Sequence, residues 1–394
     1  MDLLQIEDQY GAHNYKPLPV VVSEAKGVWV TDIEGKRYLD CLSAYSAVNQ
    51  GHCHPRLVAA LVKQASKVTL TSRAFHNDQL PLFSKELAQA CGMEAVLPMN
   101  TGAEAVETAL KMARRWGYRH KGIPEGQAEI VVCADNFHGR TISIVSFSTD
   151  RDYQDGFGPF TPGFKVVPFG DIEALKAAIG PNTCAFLTEP IQAEAGILIP
   201  PDGWLKAVSD LCREQNVLFM ADEIQTGLGR TGKWLACDWE GVRPDVLILG
   251  KALSGGFYPV SAVLSSKAII DVFTPGSHGS TYGGNPLGCA VAREALAVAA
   301  DEELAQRSHD LGEWLLRELR SNLKHPDLRE VRGRGLLIGI EMKTKARPFC
   351  ERLKDLGVLC KETHDTTIRL APPLVIEREE LEWMVDKLRQ VLGA

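Results

Sequence analysis

The chain has 394 residues, with 43 Lys and Arg against 50 Asp and Glu, so its formal net charge is −7. Apolar residues make up 45% of the chain and charged residues 24%, which indicates a globular protein with an ample core and argues against a disordered one. The mild acidity, without a basic run, argues against a nucleic-acid-binding protein. No apolar stretch reaches about 18 residues, so no membrane span is predicted.

The first ten residues, MDLLQIEDQY, contain acidic residues and no Arg. The sequence therefore predicts neither a secretory signal nor a transit peptide, and we expect a cytoplasmic protein. The 10 cysteines are scattered singly, and no CxxC pair occurs. Cysteines in this pattern are expected to be reduced and mostly buried, and no metal site is predicted.

In chain order, the first predicted element is a small hairpin meander over residues 20–42, with the turn signal DIEG at 32–35. A meander of this size cannot bury a core of its own. We therefore expect it to join a smaller domain built mainly from another part of the chain.

The middle of the chain alternates short apolar runs with helical patterns. Helical spacing occurs at Val106, Ala109, Leu110 and Ala113, and a second helix is predicted over Gly203–Gln215. Five apolar runs are continuous rather than alternating, which is typical of strands buried on both faces of a mostly parallel sheet. These predicted strands are Ile130–Ala134, Ala185–Thr188, Val217–Ala221, Val246–Leu249 and Ser261–Leu264. The pattern predicts an α/β fold.

The last hundred residues have a different pattern. A long amphipathic helix is predicted over Leu304–Leu323, strands over Leu336–Met342 and Ile368–Leu370, and a final helix from about Leu381 to Leu392. This order predicts a smaller α+β domain. We therefore divide the chain into a large domain at residues 54–300 and a small domain formed by residues 301–394 together with the N-terminal segment 1–53.

Two charged residues follow buried strands of the predicted sheet. Asp222 ends the run VLFMAD, and Lys251 follows the run VLIL in a loop rich in Gly and Ser. Ligands bind at the carboxyl ends of parallel strands, and a partly desolvated lysine can form a Schiff base. Each residue alone could be a helix cap or an ordinary loop residue. Together they fit pyridoxal phosphate, with Lys251 bonded to C4′ and Asp222 keeping the pyridine nitrogen protonated.

A phosphate site is predicted at the helix that Thr101-Gly102-Ala103-Glu104 opens, because backbone N–H groups at a helix N-terminus bind anions. A plain capping box between Thr101 and Glu104 explains the same letters, and both interpretations can hold together. The Gly-rich loop GSTYGGNP at 279–286 could add hydroxyl donors.

Two further motifs favour ordinary structural interpretations. The sequence GLGRTG at 227–232 matches GxGxxG, but it neither directly follows a strand nor precedes a helical pattern, so a nucleotide site is not predicted. His52-Cys53-His54 could suggest a metal site. Because Pro55 and an amphipathic pattern follow, we predict instead a turn that leads into a helix N-terminus.

Several motifs together carry a family resemblance over nearly the whole chain, from GAHNYKPLPV at 11–20 to IRLAPPLV at 368–375. The chain resembles the class III aminotransferases, fold-type I enzymes that depend on pyridoxal phosphate, and within them the branch that acts on ornithine. The motifs that carry this resemblance are SAYSAVNQGHCHP, LTSRAFHN, PMNTGAEAVETA, NFHGRT, DGFGPF, EPIQAEAG, ADEIQTGLGRTG, LGKALSGGFYPVSAV and HGSTYGGNPLG.

The resemblance implies a large domain with a mostly parallel seven-stranded sheet flanked by helices, plus the smaller α+β domain. It also implies that Gln225 binds the phenolic oxygen of pyridoxal phosphate, that Phe137 stacks on the ring, and that Lys251 and Asp222 are the catalytic residues. The full set of cofactor-binding residues that it implies is Thr101, Gly102, Ala103, Phe137, His138, Glu189, Asp222, Gln225, Lys251, Ser280 and Thr281. Ser280 and Thr281 would reach the phosphate from the other subunit of a homodimer with shared active sites, and a higher oligomer is left open.

The implied reaction is transfer of the δ-amino group of L-ornithine to 2-oxoglutarate, giving glutamate 5-semialdehyde, which cyclises to pyrroline-5-carboxylate, and glutamate. Tyr15, Tyr45 and Arg140 would hold the amino-acid end of ornithine, since a guanidinium can bind a carboxylate through two hydrogen bonds. Arg369 would bind the α-carboxylate of 2-oxoglutarate, and Glu194 would neutralise Arg369 while ornithine occupies the site, because an unpaired buried Arg is costly.

Two positions depart from the family pattern. His138 stands where animal ornithine enzymes have Trp, and Ala193 stands where many relatives have Gly. Because Ala193 precedes Glu194, its methyl group is expected to affect how freely Glu194 moves.

Other interpretations remain open at this point. A sister ω-aminotransferase acting on N-acetylornithine, 4-aminobutyrate or a diamine is the main alternative, and the resemblance makes Tyr45 the discriminating residue. Tyr15 and Tyr45 could also be packing aromatics, and Arg140 a structural ion-pair residue. A scaffold protein without activity is a further alternative, which Lys251, Asp222 and Arg140 argue against. A Rossmann-type dehydrogenase is another, and absence of nicotinamide binding would dismiss it.

Overall fold

The structure is a computed structural model that describes residues 2–393. The α-helices are α1 (Leu3–Tyr10), α2 (Ser43–Ser46), α3 (Pro55–Ala65), α4 (Leu80–Cys91), α5 (Gly102–Trp116), α6 (Ile142–Val145), α7 (Ile172–Ala178), α8 (Trp204–Glu214), α9 (Lys267–Ile270), α10 (Pro286–Asp301), α11 (Leu304–Asn322), α12 (Arg347–Asp355) and α13 (Arg378–Leu392). The strands are β1 (Val22–Lys26), β2 (Trp29–Asp32), β3 (Arg37–Asp40), β4 (Ala95–Met99), β5 (Glu129–Cys133), β6 (Phe164–Val167), β7 (Thr183–Thr188), β8 (Leu218–Asp222), β9 (Val246–Leu249), β10 (Ser261–Ser265), β11 (Leu328–Arg334), β12 (Leu337–Met342), β13 (Val358–Leu359), β14 (Lys361–Thr363) and β15 (Thr367–Leu370).

A seven-stranded sheet forms the centre of the molecule, in the order β4-β10-β9-β8-β7-β5-β6. The pairs among β6, β5, β7, β8 and β9 are parallel, whereas β10 runs antiparallel to both of its neighbours. The predicted α/β fold with a mostly parallel sheet of seven strands is therefore confirmed. All five predicted strands are present, and their ends agree with the observed ones to within two residues.

Helices cover both faces of this sheet, which explains why its strands are continuously apolar. Ile130 and Val132 of β5 pack in one cluster with Val106 of α5. Val131, on the opposite face of the same strand, packs in a second cluster with Val208 of α8. Alternate residues of one strand thus contact different helix layers, so that no face is left for polar residues.

The N-terminal meander and the C-terminal elements share one core. Strands β1, β2 and β3 pair in sequence, and β3 then pairs in parallel with β13, so the first sheet has the order β1-β2-β3-β13. Leu39 of the meander lies in the same hydrophobic cluster as Leu315 and Leu388. The meander therefore joins the C-terminal elements, as expected. A second four-stranded sheet has the order β11-β12-β15-β14.

The predicted domain boundaries after residues 53 and 300 stay predictions, and the outermost residues of those ranges, 1 and 394, lie outside the described part of the chain. No helix within residues 2–393 is long and apolar enough to cross a membrane.

Candidate active site

The structure brings Asp222 and Lys251 to one edge of the large sheet. Asp222 is the last residue of β8, and Lys251 begins a short 3₁₀ turn that follows β9 after one glycine. Because β8 and β9 are parallel neighbours, their carboxyl ends meet at the same edge. The two side chains line one cavity.

The Asp222 carboxylate is buried and held on both sides. Its Oδ2 accepts a hydrogen bond from His138 Nδ1 at 2.6 Å, and its Oδ1 accepts one from the backbone N–H of Ile224 at 3.1 Å. The side chains of His138 and Asp222 are 0% and 4% exposed. The two hydrogen bonds therefore fix the orientation of the carboxylate beside the cavity. A carboxylate that pairs with a positively charged ligand group needs such a fixed orientation.

The Lys251 amine is set up as a nucleophile. Its backbone has a φ of 44°, in the left-handed region, which is uncommon for a residue other than Gly, Asn or Asp. Burial lowers the pKa of Lys251, although the charges of Glu194 and Asp222 oppose that change. A lowered pKa increases the fraction of neutral amine near neutral pH, which is the form that attacks a carbonyl carbon.

The cavity between these residues has a volume of about 200 Å³. It is lined by Gly102, Ala103, Phe137, His138, Gly139, Glu189, Ile191, Asp222, Ile224, Gln225, Thr226 and Lys251. Eight of the eleven predicted cofactor residues are therefore together here. Thr101 lines an adjoining cavity, of about 310 Å³, that also contacts Gly102 and Lys251.

Helix α5 points its N-terminus at the cavity. Thr101 is the N-cap, and it forms the predicted capping box with Glu104. A Cβ atom on Gly102 would lie 2.9 Å from the terminal Cδ1 of Ile224, so a larger residue here would require the Ile224 side chain to shift. Because Thr101 caps Glu104, the earlier N–H groups of Gly102 and Ala103 stay available for an anion.

Glu189 contributes a second buried carboxyl to the cavity. Burial, reinforced by the charge of Asp222, raises the pKa of Glu189 well above its usual range. Its Oε2 accepts a hydrogen bond from the backbone N–H of Phe137 at 3.2 Å. The raised pKa favours the neutral form of the Glu189 carboxyl.

A second cavity, of about 410 Å³, adjoins Lys251 on the outer side and is called the substrate pocket below. It is lined by Asn14, Tyr15, Lys16, Tyr45, Phe137, Arg140, Tyr153, Glu194, Lys251, Lys361, Glu362 and Arg369. All five predicted substrate-binding residues lie here together with Lys251, although their sequence positions span most of the chain.

The two arginines of the substrate pocket differ in their partners. Arg369, 1% exposed, donates from Nη1 to Glu194 Oε1 at 2.5 Å. Arg140 has no ion pair within residues 2–393, and its guanidinium carbon lies 3.9 Å from the centre of the Tyr153 ring. Of the two guanidinium groups, the one on Arg369 is therefore already neutralised, and the one on Arg140 is available to an anionic ligand.

Glu194 carries the charge that neutralises Arg369. Burial alone would raise the pKa of Glu194, but the positive charges of Arg369 and Lys251 outweigh burial, and the pKa is lowered. Gln225 also donates to Glu194 Oε1, at 3.2 Å. The Glu194 side chain thus connects the cavity around Asp222 with the substrate pocket.

Tyr45 reaches the pocket from a left-handed turn. The four residues of α2, including Tyr45, all have positive φ values, from 48° to 68°. Asp40 Oδ1 accepts the backbone N–H groups of Leu42 and Ser43, each at 2.9 Å, and so holds the start of the turn. The Tyr45 ring centre lies 4.8 Å from the Arg369 guanidinium carbon.

The loop with Ser280 and Thr281 lies outside both cavities of its own chain. Ser280 Oγ accepts a hydrogen bond from Asn100 Nδ2 at 2.9 Å, and it accepts another from the backbone N–H of Gly283. The lining of the cavity around Lys251 and that of the substrate pocket include neither residue. Their predicted role in a partner subunit's site stays a prediction.

Sequence reasoning missed several pocket residues, of which Tyr153 is the most informative. It lies on a 3₁₀ turn, Arg151–Tyr153, just before the motif DGFGPF. A single aromatic residue in a loop gives no local signal, because its contact with Arg140 arises only from the tertiary fold. Lys16 and Lys361 were missed for the same reason.

The two motifs with structural interpretations have identifiable roles. His54 is the N-cap of α3, as predicted, and His52 pairs with Asp40 at 2.8 Å. In GLGRTG, a Cβ atom on Gly232 would lie 3.0 Å from the Cα of His309 in α11. This loop uses its glycines for close packing against a helix.

The fold and this site define the class of protein: an α/β enzyme that has a nucleophilic lysine, a fixed buried carboxylate and a helix N-terminus around one cavity. Comparison with known proteins gives the family. Residues 10–392 match the family model described as aminotransferase class-III. An ornithine aminotransferase of Brevibacillus brevis is 61% identical over 390 residues, covering 99% of this chain and 98% of that protein. The chain belongs to the class III aminotransferases.

Two solved structures are also similar. One is an ornithine aminotransferase of Toxoplasma gondii, described as having partial occupancy of pyridoxal phosphate at its active site. Its TM-score is 0.98 at 47% identity, covering 99% of this chain and 93% of that chain. The other is an acetylornithine aminotransferase of Elizabethkingia anophelis, with a TM-score of 0.90 at 49% identity, covering 99% of this chain and 97% of that one.

Pyridoxal phosphate is the cofactor of class III aminotransferases, and the residues of the cavity fit it. His138 Nε2 and Gln225 Oε1 are buried without a hydrogen-bond partner in residues 2–393, as expected where a polar ligand completes the site. A carboxylate, a nucleophilic amine and free helix N–H groups match a ring nitrogen, an aldehyde carbon and a phosphate, respectively.

Proposed function

We propose that this chain transfers the δ-amino group of L-ornithine to 2-oxoglutarate. The products are glutamate and glutamate 5-semialdehyde, which cyclises to pyrroline-5-carboxylate. The observation that carries the proposal is the pair of unlike arginines in the substrate pocket: Glu194 neutralises Arg369, whereas Arg140 forms no ion pair in the described part of the chain. The same pocket must first bind an amino acid whose distal amine reacts, and then bind a dicarboxylate. The two arginines provide a carboxylate-binding group for each of these substrates.

Pyridoxal phosphate, when bound, supplies an electron sink and a carbon that accepts the amino group. Lys251 would hold it covalently, Asp222 would keep its ring nitrogen protonated, and Gln225 would bind its phenolic oxygen. Phe137 would cover the ring, with Thr101, His138 and Glu189 in the surrounding contacts. Gly102 and Ala103 would give backbone N–H groups to the phosphate.

Ornithine would bind with its amino-acid end away from Lys251. The Arg140 guanidinium can take the α-carboxylate through two parallel hydrogen bonds, while Tyr15 and Tyr45 contact the same end. The δ-amine then lies nearest Lys251, whose amine takes the proton from the δ-carbon. During this half-reaction Glu194 keeps Arg369 neutral, so that a second carboxylate is not drawn into the pocket.

In the second half-reaction, 2-oxoglutarate brings two carboxylates. Arg369 can bind its α-carboxylate only if Glu194 moves away. The incoming carboxylate replaces the charge of Glu194, so that Arg369 does not lose its anionic partner. Ala193, wholly buried next to Glu194, packs in an apolar cluster with Ile191 and Ile197, and its expected effect on this movement stays a prediction.

We also propose that the enzyme works as a homodimer in the cytoplasm, with Ser280 and Thr281 of each subunit completing the phosphate site of the other. In support, the cavity that Thr101 and Gly102 line on this side adjoins Lys251. Asn100, which lines the same cavity, donates a hydrogen bond to Ser280 Oγ and so places this loop beside the cavity.

The test is a half-reaction without an amino acceptor. L-ornithine is added to the purified holoenzyme, the visible band of the bound cofactor is followed, and the product is trapped with o-aminobenzaldehyde. We expect loss of the band together with the pyrroline-5-carboxylate adduct, and return of the band after 2-oxoglutarate is added. The Lys251→Ala variant is the control, because it lacks the amine that moves the proton and should give no adduct.

The contrary outcome is equally specific. If ornithine leaves the band unchanged while N-acetylornithine or 4-aminobutyrate removes it, the substrate assignment is wrong and a sister ω-aminotransferase activity replaces it. The roles of Lys251 and Asp222 would stand in that case, because both activities use them.

A further inference from the structure

Residues 11–20, called the N-terminal strap below, connect α1 to β1 and contain no helix or strand. Eight of these ten residues are exposed, and Tyr15 is 68% exposed. Even so, Asn14, Tyr15 and Lys16 line the substrate pocket. A wall of this pocket is thus formed by a segment with little structure of its own.

One side chain from the rest of the molecule bonds to the strap. Arg347, the first residue of α12, donates from Nη1 to the carbonyl oxygen of Lys16 at 3.1 Å and from Nη2 to that of Pro17 at 3.0 Å. Within residues 2–393, no other hydrogen bond or ion pair joins residues 12–20 to the chain beyond residue 20. The two acceptors directly follow Tyr15, so the guanidinium fixes the backbone on its C-terminal side.

The guanidinium of Arg347 is itself held in place. Its Nε donates to Glu351 Oε1 at 2.9 Å, one helical turn further along α12, and its Nη1 donates to Glu362 Oε1 at 3.2 Å. The Arg347 side chain is 16% exposed. Two carboxylates therefore orient the planar group before the strap binds to it, which lowers the entropy lost on binding.

We propose that Arg347 is a positioning residue for substrate. It holds the strap against the small domain and so keeps Tyr15 in the wall of the substrate pocket, without contacting substrate itself, since Arg347 is not part of the pocket lining. The inference rests on the proposed function, because it assigns Tyr15 to the amino-acid end of ornithine.

Binding of ornithine should depend on Arg347 more than the chemical step does. Without the guanidinium, the strap samples many conformations, and substrate must select the ordered one, which raises KM. Lys251 and Asp222 lie on the sheet edge and are unaffected. We expect Arg347→Ala to raise KM for ornithine roughly tenfold, equivalent to about 1.4 kcal/mol, with kcat changed less than about twofold.

A double-mutant cycle tests whether the effect passes through Tyr15. In the Tyr15→Phe background, Arg347→Ala should raise KM much less than it does in the wild-type enzyme, because the hydroxyl that the strap positions is already missing. Additive effects of the two substitutions would overturn the proposal. So would a loss in kcat without a change in KM.

Two further variants separate positioning from general destabilisation. Arg347→Lys keeps a cation beside Glu351 and Glu362 but cannot reach two carbonyl oxygens in one plane, so it should behave like Arg347→Ala. Arg378→Ala removes an exposed arginine that pairs with Glu382, also one helical turn away, and that forms no hydrogen bond with the strap in the described residues. It should leave KM unchanged, and an equal rise in KM there would refute the specific role of Arg347.

A measurement without substrate keeps this inference separable from the proposed function. Chymotrypsin cleavage after Tyr15, identified by mass spectrometry on the native holoenzyme, should be several-fold faster in Arg347→Ala than in wild type, because cleavage follows the population of the open strap. Equal rates would overturn the proposal even if ornithine is confirmed as substrate. If the wild-type enzyme does not use ornithine, the proposed function is wrong. The comparison of cleavage rates would still decide whether Arg347 holds the N-terminal strap.

Discussion

The His138–Asp222 pair is closed off from solvent, and His138 is the side chain that donates to the Asp222 carboxylate. Nδ1 of His138 donates to Asp222 at 2.6 Å, while its Nε2 has no partner in the described chain. In a buried setting, a hydrogen bond to a charged group contributes about 1.5–3 kcal/mol. The imidazole therefore holds the carboxylate in the orientation that the cofactor requires.

Replacement of this donor should impair the chemical step while the fold is kept. His138→Phe fills a similar volume without an N–H group, and we expect kcat to fall roughly tenfold or more, since about 1.4 kcal/mol corresponds to one factor of ten. His138→Asn, whose amide can donate from a position close to that of Nδ1, should restore most of the rate. Steady-state kinetics on both holoenzymes would decide, and equal rates for the Phe variant and the wild type would show that Asp222 needs no help from His138.

Among single residues, the sequence predicts those whose neighbours along the chain form a recognisable pattern. Asp222 and Lys251 could be found because each directly follows a buried strand, a position with a meaning in parallel sheets. Tyr153 and Arg347 could not, since the partners of each lie far away along the chain or in a loop without a pattern. The contact of Arg347 with Lys16 joins residues 331 positions apart. Such contacts are properties of the folded chain alone.

Among the elements, the left-handed turn of α2 stores the most backbone strain. Four successive residues other than glycine have positive φ values, and each costs about 1–2 kcal/mol relative to a right-handed conformation. The surrounding contacts compensate: Asp40 accepts two backbone N–H groups at its start, and Ser43 Oγ donates to the carbonyl oxygen of Ala371 at 2.6 Å. The turn that carries Tyr45 is thereby bonded to Ala371, which directly follows β15, the strand of Arg369.

Ala44→Gly should therefore stabilise the protein. Ala44 is exposed and has φ 48° and ψ 48°, so removal of its methyl group relieves strain and loses no packing. Relief of strain contributes about 1–2 kcal/mol, and the greater conformational entropy of the unfolded chain costs about 0.4–1 kcal/mol. We therefore expect the free energy of unfolding to rise by about 0.5–1 kcal/mol. Ala47→Gly, at φ −88° in the same segment, is the matched control and should destabilise. Urea unfolding measures both, and a loss of stability in Ala44→Gly would show that the turn is not strained.

The strands show where element prediction works. The five central strands were predicted because they are buried on both faces. Within the large sheet, the two strands that were missed, β4 and β6, form its two edges. β4 contains Pro98, and β6 contains a partly exposed Lys165 and an exposed Val166. Edge strands accept Pro and charge because one side lacks a neighbour, so their sequences resemble loops.

At the scale of the whole molecule, Arg230 connects the predicted large domain with the predicted small domain. It is wholly buried in the loop after β8 and donates to the carbonyl oxygens of Leu336 at 3.0 Å and Pro372 at 2.7 Å, and to Asn49 Oδ1. These acceptors belong to the N-terminal segment and to two separate C-terminal loops. One guanidinium therefore connects the predicted large domain with the predicted small domain. The proposed catalytic and substrate-binding residues are distributed over these same two parts of the chain.

We expect Arg230→Lys to lower the free energy of unfolding by about 2–4 kcal/mol, because an ammonium cannot reach three acceptors in one plane and each buried group left unpaired costs about 1–3 kcal/mol. The loss should appear as a lower midpoint in urea or on heating, measured at one protein concentration because assembly also affects stability. Arg352→Lys, on the exposed side of α12, is the control and should change stability by no more than about 0.5 kcal/mol. If both variants have the same unfolding midpoint as the wild type, the hydrogen bonds of Arg230 do not stabilise the contact between the two predicted domains.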